Sequence, residues 1–233
     1  MQFFYHPNLE QRVFELAADE AKHCTKALRK KTGDTIFVTD GQGRVATAQL
    51  IEAAPNCCVS QILEVNEAYQ LRPNRFHLAI APTKNTDRIE WMVEKCIEIG
   101  IERISFIICD HSERAKIDLD RLHRIAIAAI KQSNTSLIPL MEMVTFDEFI
   151  QKKHDGQTGL YMAWCDEDNE NQFARQELSG HDVVLLIGPE GDFSQKEISK
   201  ARKAGYKEVK LGSRRLRTET AGLYGCTVFA AAN

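Results

Sequence analysis

No stretch of the 233 residues approaches the run of apolar side chains that a membrane span needs. The opening residues, MQFFYHPNLEQRVF, lack the basic region and apolar core of a secretion signal, so a cytoplasmic location is expected. Cysteine pairing is missing as well. The seven cysteines, at positions 24, 57, 58, 96, 109, 165 and 226, form no Cys-x-x-Cys pair and fall mostly in apolar runs. They are expected as reduced, buried thiols, with neither a disulfide framework nor a zinc site. The seven histidines show no ligand spacing, so no metal is expected. A large excess of one charge is also absent. The net charge of −3 argues against a protein that coats nucleic acid indiscriminately.

What is present is an ordinary globular composition, 43 % hydrophobic, in a chain long enough for one large domain or two modest ones. Its charge is segregated. Residues 22–31, KHCTKALRKK, hold five basic side chains and no acid, residues 200–217 hold eight against Glu208 alone, and residues 166–170, DEDNE, gather acid. Such patches suit a phosphate-tracking face, although a basic helix is as often merely a solvated one.

The first 70 residues form a β-rich unit by pattern. A strand over 13–16 precedes a helix that Asp19 can cap and that runs to Lys31; Thr32-Gly33-Asp34 then turns the chain into the strand Thr35–Thr39. Asp40-Gly41-Gln42-Gly43 is a hairpin signal, followed by strands over 45–51 and 58–65. With no parallel crossover in view, an antiparallel sheet or small barrel is expected. Leu71-Arg72-Pro73-Asn74 marks a boundary, dividing the chain into domains 1–70 and 74–233.

Beyond it, strands and helices alternate. A strand over 76–81 leads to a capping-box pattern at Asp87 and Glu90, and the helix it opens carries Ile89, Met92, Val93, Cys96 and Ile97 on one face before Gly100. Further strands are expected over 103–109, 140–144 and 160–165, with a helix from Asp118 and another over 146–153. This alternation implies a mainly parallel sheet covered on both faces.

The densest pattern lies at 183–222. The apolar strand Val183–Ile187 empties into Gly188-Pro189-Glu190-Gly191-Asp192; Ser194 and Glu197 have capping-box spacing, and Gly205 is placed to end the helix. A second strand, 208–211, runs into Gly212 and the basic segment with Arg214, Arg215 and Arg217, where Thr218 can cap a last helix. Two glycine loops therefore leave two strands on one side of a sheet, the edge where small ligands bind in open α/β folds. A plain pair of turns would look the same locally. The arginines beside a helix N-terminus suit an anionic or electron-rich partner.

The two segments LLIGPEGDFSQKEI and LGSRRLRTETA resemble the signature of the RsmE-type family, methyltransferases that use S-adenosylmethionine to methylate N3 of a uridine in 16S ribosomal RNA of the small subunit. That family belongs to the SPOUT class. The resemblance implies an α/β domain with a C-terminal trefoil knot, preceded by a small β-barrel-like, PUA-type RNA-binding domain. PTKNTDRIEWMVEKCIEIGI, HSER and AIKQS resemble further landmarks of the family, and KHCTKALRKKTGD resembles its N-terminal segment. By the same resemblance, Gly188, Pro189, Glu190, Gly191, Leu211, Gly212, Leu216 and Thr218 enclose the cofactor, and His23, Arg29, Lys30 and Arg114 contact the RNA. Arg217 is the catalytic candidate, stabilising a developing uridine anion, and Glu219 is a weaker candidate for the base, since a first-turn carboxylate can simply complement its helix. A homodimer is implied, with the final helix and its Leu223, Val228 and Phe229 as one possible contributor to the interface. Two departures stand out: Asp192 replaces the second glycine of the family's first loop, and Asn134-Thr135-Ser136 stands where an arginine is common. A SPOUT ribose 2′-O-methyltransferase and a non-catalytic RNA-binding protein remain as alternatives.

Overall fold

The computed structural model describes residues 2–164 and 170–233. Cys165 and the acids at 166–168 lie outside the described residues, as does the end of the strand expected over 160–165. The chain divides into two compact units, one of Met1–Leu71 with Ala126–Ile138, the other of Arg72–Ile125 with Pro139–Asn233.

In the first unit, β1 (Phe3–Tyr5), β2 (Val13–Glu15), β3 (Thr35–Thr39), β4 (Val45–Ala54) and β5 (Cys57–Asn66) form one sheet in the order β1-β3-β4-β5-β2. The hairpin β3–β4 and its continuation into β5 are antiparallel, but β1 pairs parallel with β3, Phe4 opposite Val38. The sheet is thus mixed rather than antiparallel. The three-residue run at the start of the chain has no alternation to announce it, and the chain between Tyr5 and Thr35 provides the crossover. Phe3 and Phe4 are each 1 % exposed, which shows why this edge forms: two large rings leave water. The core gathers Phe4, Phe14, Leu16, Cys24, Ile36, Val38, Leu50 and Cys58.

The helix expected from Asp19 to Lys31 is shorter and different in kind. α1 (Ala18–Lys22) starts after Ala17, with no side-chain cap, and passes into a π-helical turn over His23–Ala27 closed by Leu28 N–H donating to His23 O at 3.1 Å. Arg29, at φ 54°, ends it. Residues 126–138, which the sequence assigns to the second domain by position, fold with the first unit. Gly43 N donates to Ser136 O (2.9 Å), Ile138 N to Gly41 O (2.8 Å), Ser136 Oγ to Tyr69 O (2.6 Å), and Lys131 pairs with Glu20. The departure at 134–136 has a local use here: Asn134 adopts a left-handed φ of 56°, and Ser136 is buried and hydrogen-bonded.

The second unit carries a wholly parallel sheet, β11-β9-β10-β6-β7-β8, built from β6 (Phe76–Ile80), β7 (Arg103–Ile108), β8 (Leu140–Thr145), β9 (Gly159–Ala163), β10 (Val183–Ile187) and β11 (Lys207–Val209). Central β6 and β10 are buried throughout, as their unbroken apolar runs require. α4 (Phe146–Ile150) and α5 (Gln195–Lys203) cover one face, where Phe146, Phe149, Phe193 and Ile198 pack on Ala79, Ile107, Met162 and Leu186. α2 (Thr86–Ile99) and α6 (Thr218–Ala232) cover the other. α6 lies very close: a Cβ at Gly222 would come within 2.8 Å of Met92 Sδ, and one at Gly225 within 2.4 Å of Leu185 Cδ2. α3 (Leu119–Ser133) begins in this unit, its first turn held by Asp118, and ends in the other.

The start and stop signals fare unevenly. Ser194 and Glu197 form the full capping box of α5, and Gly100 and Gly205 take left-handed φ values of 97° and 91° at the ends of α2 and α5. The cap of α2 is Asn85, whose side chain accepts from Asp87 N at 2.9 Å, rather than Asp87. α6 starts one residue early, with Arg217 at the cap position and Thr218 inside the helix. β11 stops at Val209, which leaves Lys210 and Leu211 to the loop that follows.

Candidate functional site

The loops leaving the carboxyl ends of β6, β7, β10 and β11 in the second unit are tied to one another by bonds between side chains and backbone. Beyond β10, Asp192 N donates to Pro189 O (2.9 Å), turning the loop so that Glu190 reaches sideways. The Glu190 carboxylate accepts from Lys84 N (3.3 Å), after β6, and its carbonyl accepts from Arg215 Nη2 (3.2 Å), after β11. His111, after β7, places Nδ1 3.1 Å from Gly191 O and 3.0 Å from Asp192 O. Thr218 Oγ1 lies 3.4 Å from Gly188 O. Asp192 sits at φ 62°, a conformation that glycine adopts without strain; here the carboxylate accepts from Phe193 N at 2.8 Å, a local bond that glycine could not make.

These ties enclose a cleft of about 740 Å³, a volume suited to a small-molecule ligand. Of the residues that the resemblance assigns to a cofactor, Gly188, Pro189, Glu190, Leu211, Gly212, Leu216 and Thr218 line it. Gly191 is outside the lining, against His111, where a Cβ would stand 3.2 Å from His111 Cβ. Gly212 faces open space, since a Cβ there would meet no atom within 4 Å. Both catalytic candidates line the cleft as well. Glu219, in the first turn of α6, is 5 % exposed with Oε1 3.8 Å from Arg88 Nε; Arg217 is exposed at the mouth. A second, shallower cleft of about 620 Å³ shares Arg88, Arg215, Leu216, Arg217 and Glu219 with the first and is bordered by the half-exposed Trp91.

The four RNA-contact candidates do not gather at this cleft. Arg114 belongs to the same unit, but its guanidinium donates to Lys84 O through Nε (3.2 Å) and Nη2 (2.8 Å), bracing the loop that carries Glu190's partner. His23, Arg29 and Lys30 belong to the first unit. There His23 stands on the π turn 2.6 Å from Gln2 Nε2, and Lys30 Nζ donates to Thr35 O at 3.0 Å. Several lining residues were not assigned to the site from the sequence, Arg88 and Trp164 among them. Arg88 lies within the Asp-Arg pair of the PTKNTDRIEW motif, a signal already in hand, whereas Trp164 is announced only by an aromatic following an apolar strand. Among the described residues no three His, Cys, Asp or Glu side chains gather as a metal site, and no helix is long and apolar enough to cross a membrane.

A family model described as an RNA methyltransferase domain matches residues 70–230, and one described as an RNA methyltransferase PUA domain matches residues 16–63. The fold resembles the crystal structure of a probable rRNA-methyltransferase from Porphyromonas gingivalis, with a TM-score of 0.91, 38 % identity and 99 % of each chain covered. It also resembles a Legionella pneumophila chain solved in complex with the bound cofactor SAM, with a TM-score of 0.83, 27 % identity and coverage of 99 % and 97 %. The ribosomal RNA small subunit methyltransferase E of a Synechocystis strain is 29 % identical over 211 residues, 88 % of this chain and 69 % of that protein.

Proposed function

The chain belongs to the RNA methyltransferase family whose model spans residues 70–230, and on that premise we propose that it methylates N3 of a uridine in 16S ribosomal RNA of the small subunit, with S-adenosylmethionine as donor. The observation that carries this is the cleft at the carboxyl edge of the parallel sheet. There the two glycine loops meet, and Arg217 and Glu219 stand in its wall.

The residues present fit the cofactor. The cleft has the volume for it, Gly212 leaves a Cβ-sized space open, and Glu190 is fixed from both sides by neighbouring loops. Gly188, Pro189, Glu190, Leu211, Gly212, Leu216 and Thr218 would hold it. When bound it supplies an electrophilic methyl group on a sulfonium. The chain's own task is to present the acceptor in line and to make it nucleophilic. Uridine N3 carries a proton, so a base or a positive charge that favours the deprotonated ring is required. Arg217, exposed at the mouth, stabilises the ring anion in this scheme, and the Glu219 carboxylate takes the N3 proton. Arg88, 3.8 Å away, orients that carboxylate.

The proposal extends to what surrounds the site. His23, Arg29 and Lys30 of the first unit and Arg114 of the second serve RNA contact, the enzyme works as a cytoplasmic homodimer, and the chain is knotted at its C-terminal end. The course of the chain supports the knot: after β10 it passes through α5, reaches β11 beyond β9, and returns through residues 210–217 to α6 beside α2. A binding-only protein would need neither the cofactor-sized cleft nor the RNA methyltransferase domain. The test is transfer of label from S-adenosylmethionine to the RNA of small ribosomal subunits. Incorporation is expected, and none, with cofactor binding intact, would leave a binding protein.

A further inference from the structure

Only part of the main cleft's lining is shared with the shallower one. Arg88, Arg217 and Glu219 gather charge in the shared part. Trp164 stands apart from them: it follows β9, whereas Arg88 belongs to α2, which follows β6, and β10 lies between those two strands. Trp164 lines the main cleft only. Its indole is anchored from behind. Nε1 donates to Glu208 Oε2 at 2.8 Å, and Arg202 of α5 grips the same carboxylate, Nη2 to Oε2 at 3.1 Å and Nε to Oε1. Glu208 sits on β11 opposite Met162 of β9, two residues before the tryptophan, so the anchor is part of the sheet itself. Arg202 also holds the Glu208 carboxyl below the usual carboxylate range, which keeps it a strong acceptor.

An indole has one N–H donor; once that is used, its flat faces are what it offers a ligand. Trp164 packs against the core cluster of α4 and α5 on one side and is only partly buried, so what it leaves uncovered is aromatic surface that borders the cleft. We propose that Trp164 forms the aromatic wall for the adenine ring of S-adenosylmethionine, and that the Arg202–Glu208 pair is a positioning device that fixes its plane. This rests on the methyltransferase reading. It leaves the side with Arg88, Arg217 and Glu219 for the acceptor.

The test uses the two tryptophans of the chain. Trp91→Phe leaves Trp164 as the sole tryptophan, and S-adenosylhomocysteine is titrated into this variant by fluorescence and by calorimetry in parallel. Saturable quenching that follows the calorimetric isotherm is expected, with none from methionine, which lacks the adenine. Trp164→Ala should weaken S-adenosylhomocysteine binding about tenfold or more, the scale of a lost base–aromatic stack. Trp164→Phe and Glu208→Ala should each weaken it less, and the double variant should lose no more than the larger single loss, because Glu208 acts through the indole. Thermal unfolding confirms that each variant is folded. Unchanged emission at saturating ligand, wild-type affinity in Trp164→Ala, or additive losses in the double variant would overturn the proposal. Absence of any calorimetric binding by the unaltered chain would instead overturn the methyltransferase reading beneath it.

Discussion

Arg217 and Glu219 are two residues apart yet differ in exposure, the arginine open at the mouth and the carboxylate 5 % exposed beside Arg88. That contrast divides the labour proposed for them. Arg217→Ala should lower turnover roughly 100-fold or more, the scale of losing a group that stabilises developing charge, with S-adenosylhomocysteine affinity unchanged by calorimetry. Normal turnover would remove Arg217 from the mechanism. Away from the site, the second unit holds a polar cluster in its sheet. His77 lies 2.7 Å from Ser105 Oγ, which donates to Glu142 at 2.6 Å, and Glu142 also binds Arg103 and Lys152 at 2.8 and 2.7 Å. Burial, reinforced by Arg103, pushes His77 from 6.5 down to about 3. Burial acts to raise Glu142, but bonds from Lys152, Ser105 and Arg103 outweigh it and hold the carboxyl at about 2 instead of 4.5. In both cases the unfolded chain takes up the proton first as the pH falls. Stability is therefore lost below about 6.5 through His77 and below about 4.5 through Glu142. Between those values His77 alone of the pair contributes, with a slope of at most about 1.4 kcal/mol per pH unit. His77→Asn should lessen the fall of the thermal midpoint across pH 6.5 to 4.5, leaving the share of His154, which burial also lowers, and an unchanged slope would assign the acid sensitivity elsewhere.

Elements set how closely the cleft can be built. α6 brings Thr218 and Glu219 to the cleft because its glycines let it lie against β6 and β10. Gly225→Ala would place a methyl 2.4 Å from a Leu185 side chain that is fully buried, so a loss of about 1–3 kcal/mol is expected, read from the urea midpoint. Asn85→Ala should cost about 1 kcal/mol by removing the cap of α2, and no effect would return that role to Asp87. Asn85 also shows where the sequence misleads. Asp87 and Glu90 have the same spacing as a true capping box, and only the backbone turn decides which residue precedes the helix. Ser194, Gly100 and Gly205 were legible because their signals are local. β1 was not, since three apolar residues carry no period and its partner β3 lies some thirty residues on. Most of the cleft lining was likewise written in two motifs. Trp164 was not, because it reaches the cleft only through the strand order β11-β9-β10, a long-range pairing that no local pattern encodes.

Over the whole molecule, the chain supplies its first unit twice, from Met1–Leu71 and again from Ala126–Ile138. A fragment of residues 1–71 lacks the Ser136 and Ile138 partners of Gly43 and Gly41, and Lys131 for Glu20. It should therefore unfold at lower urea than the first unit of the full chain does, whereas equal stability would make 126–138 a passive passenger. The function proposed for the molecule rests on the cleft at the carboxyl edge of the second unit's sheet. The most direct test of that function is the identity of the methylated nucleoside. Small ribosomal subunits are incubated with the protein and labelled S-adenosylmethionine, the RNA is digested to nucleosides, and the label is located by chromatography. Label in 3-methyluridine is the result predicted; label in a ribose-methylated nucleoside, or none in RNA at all, would contradict it.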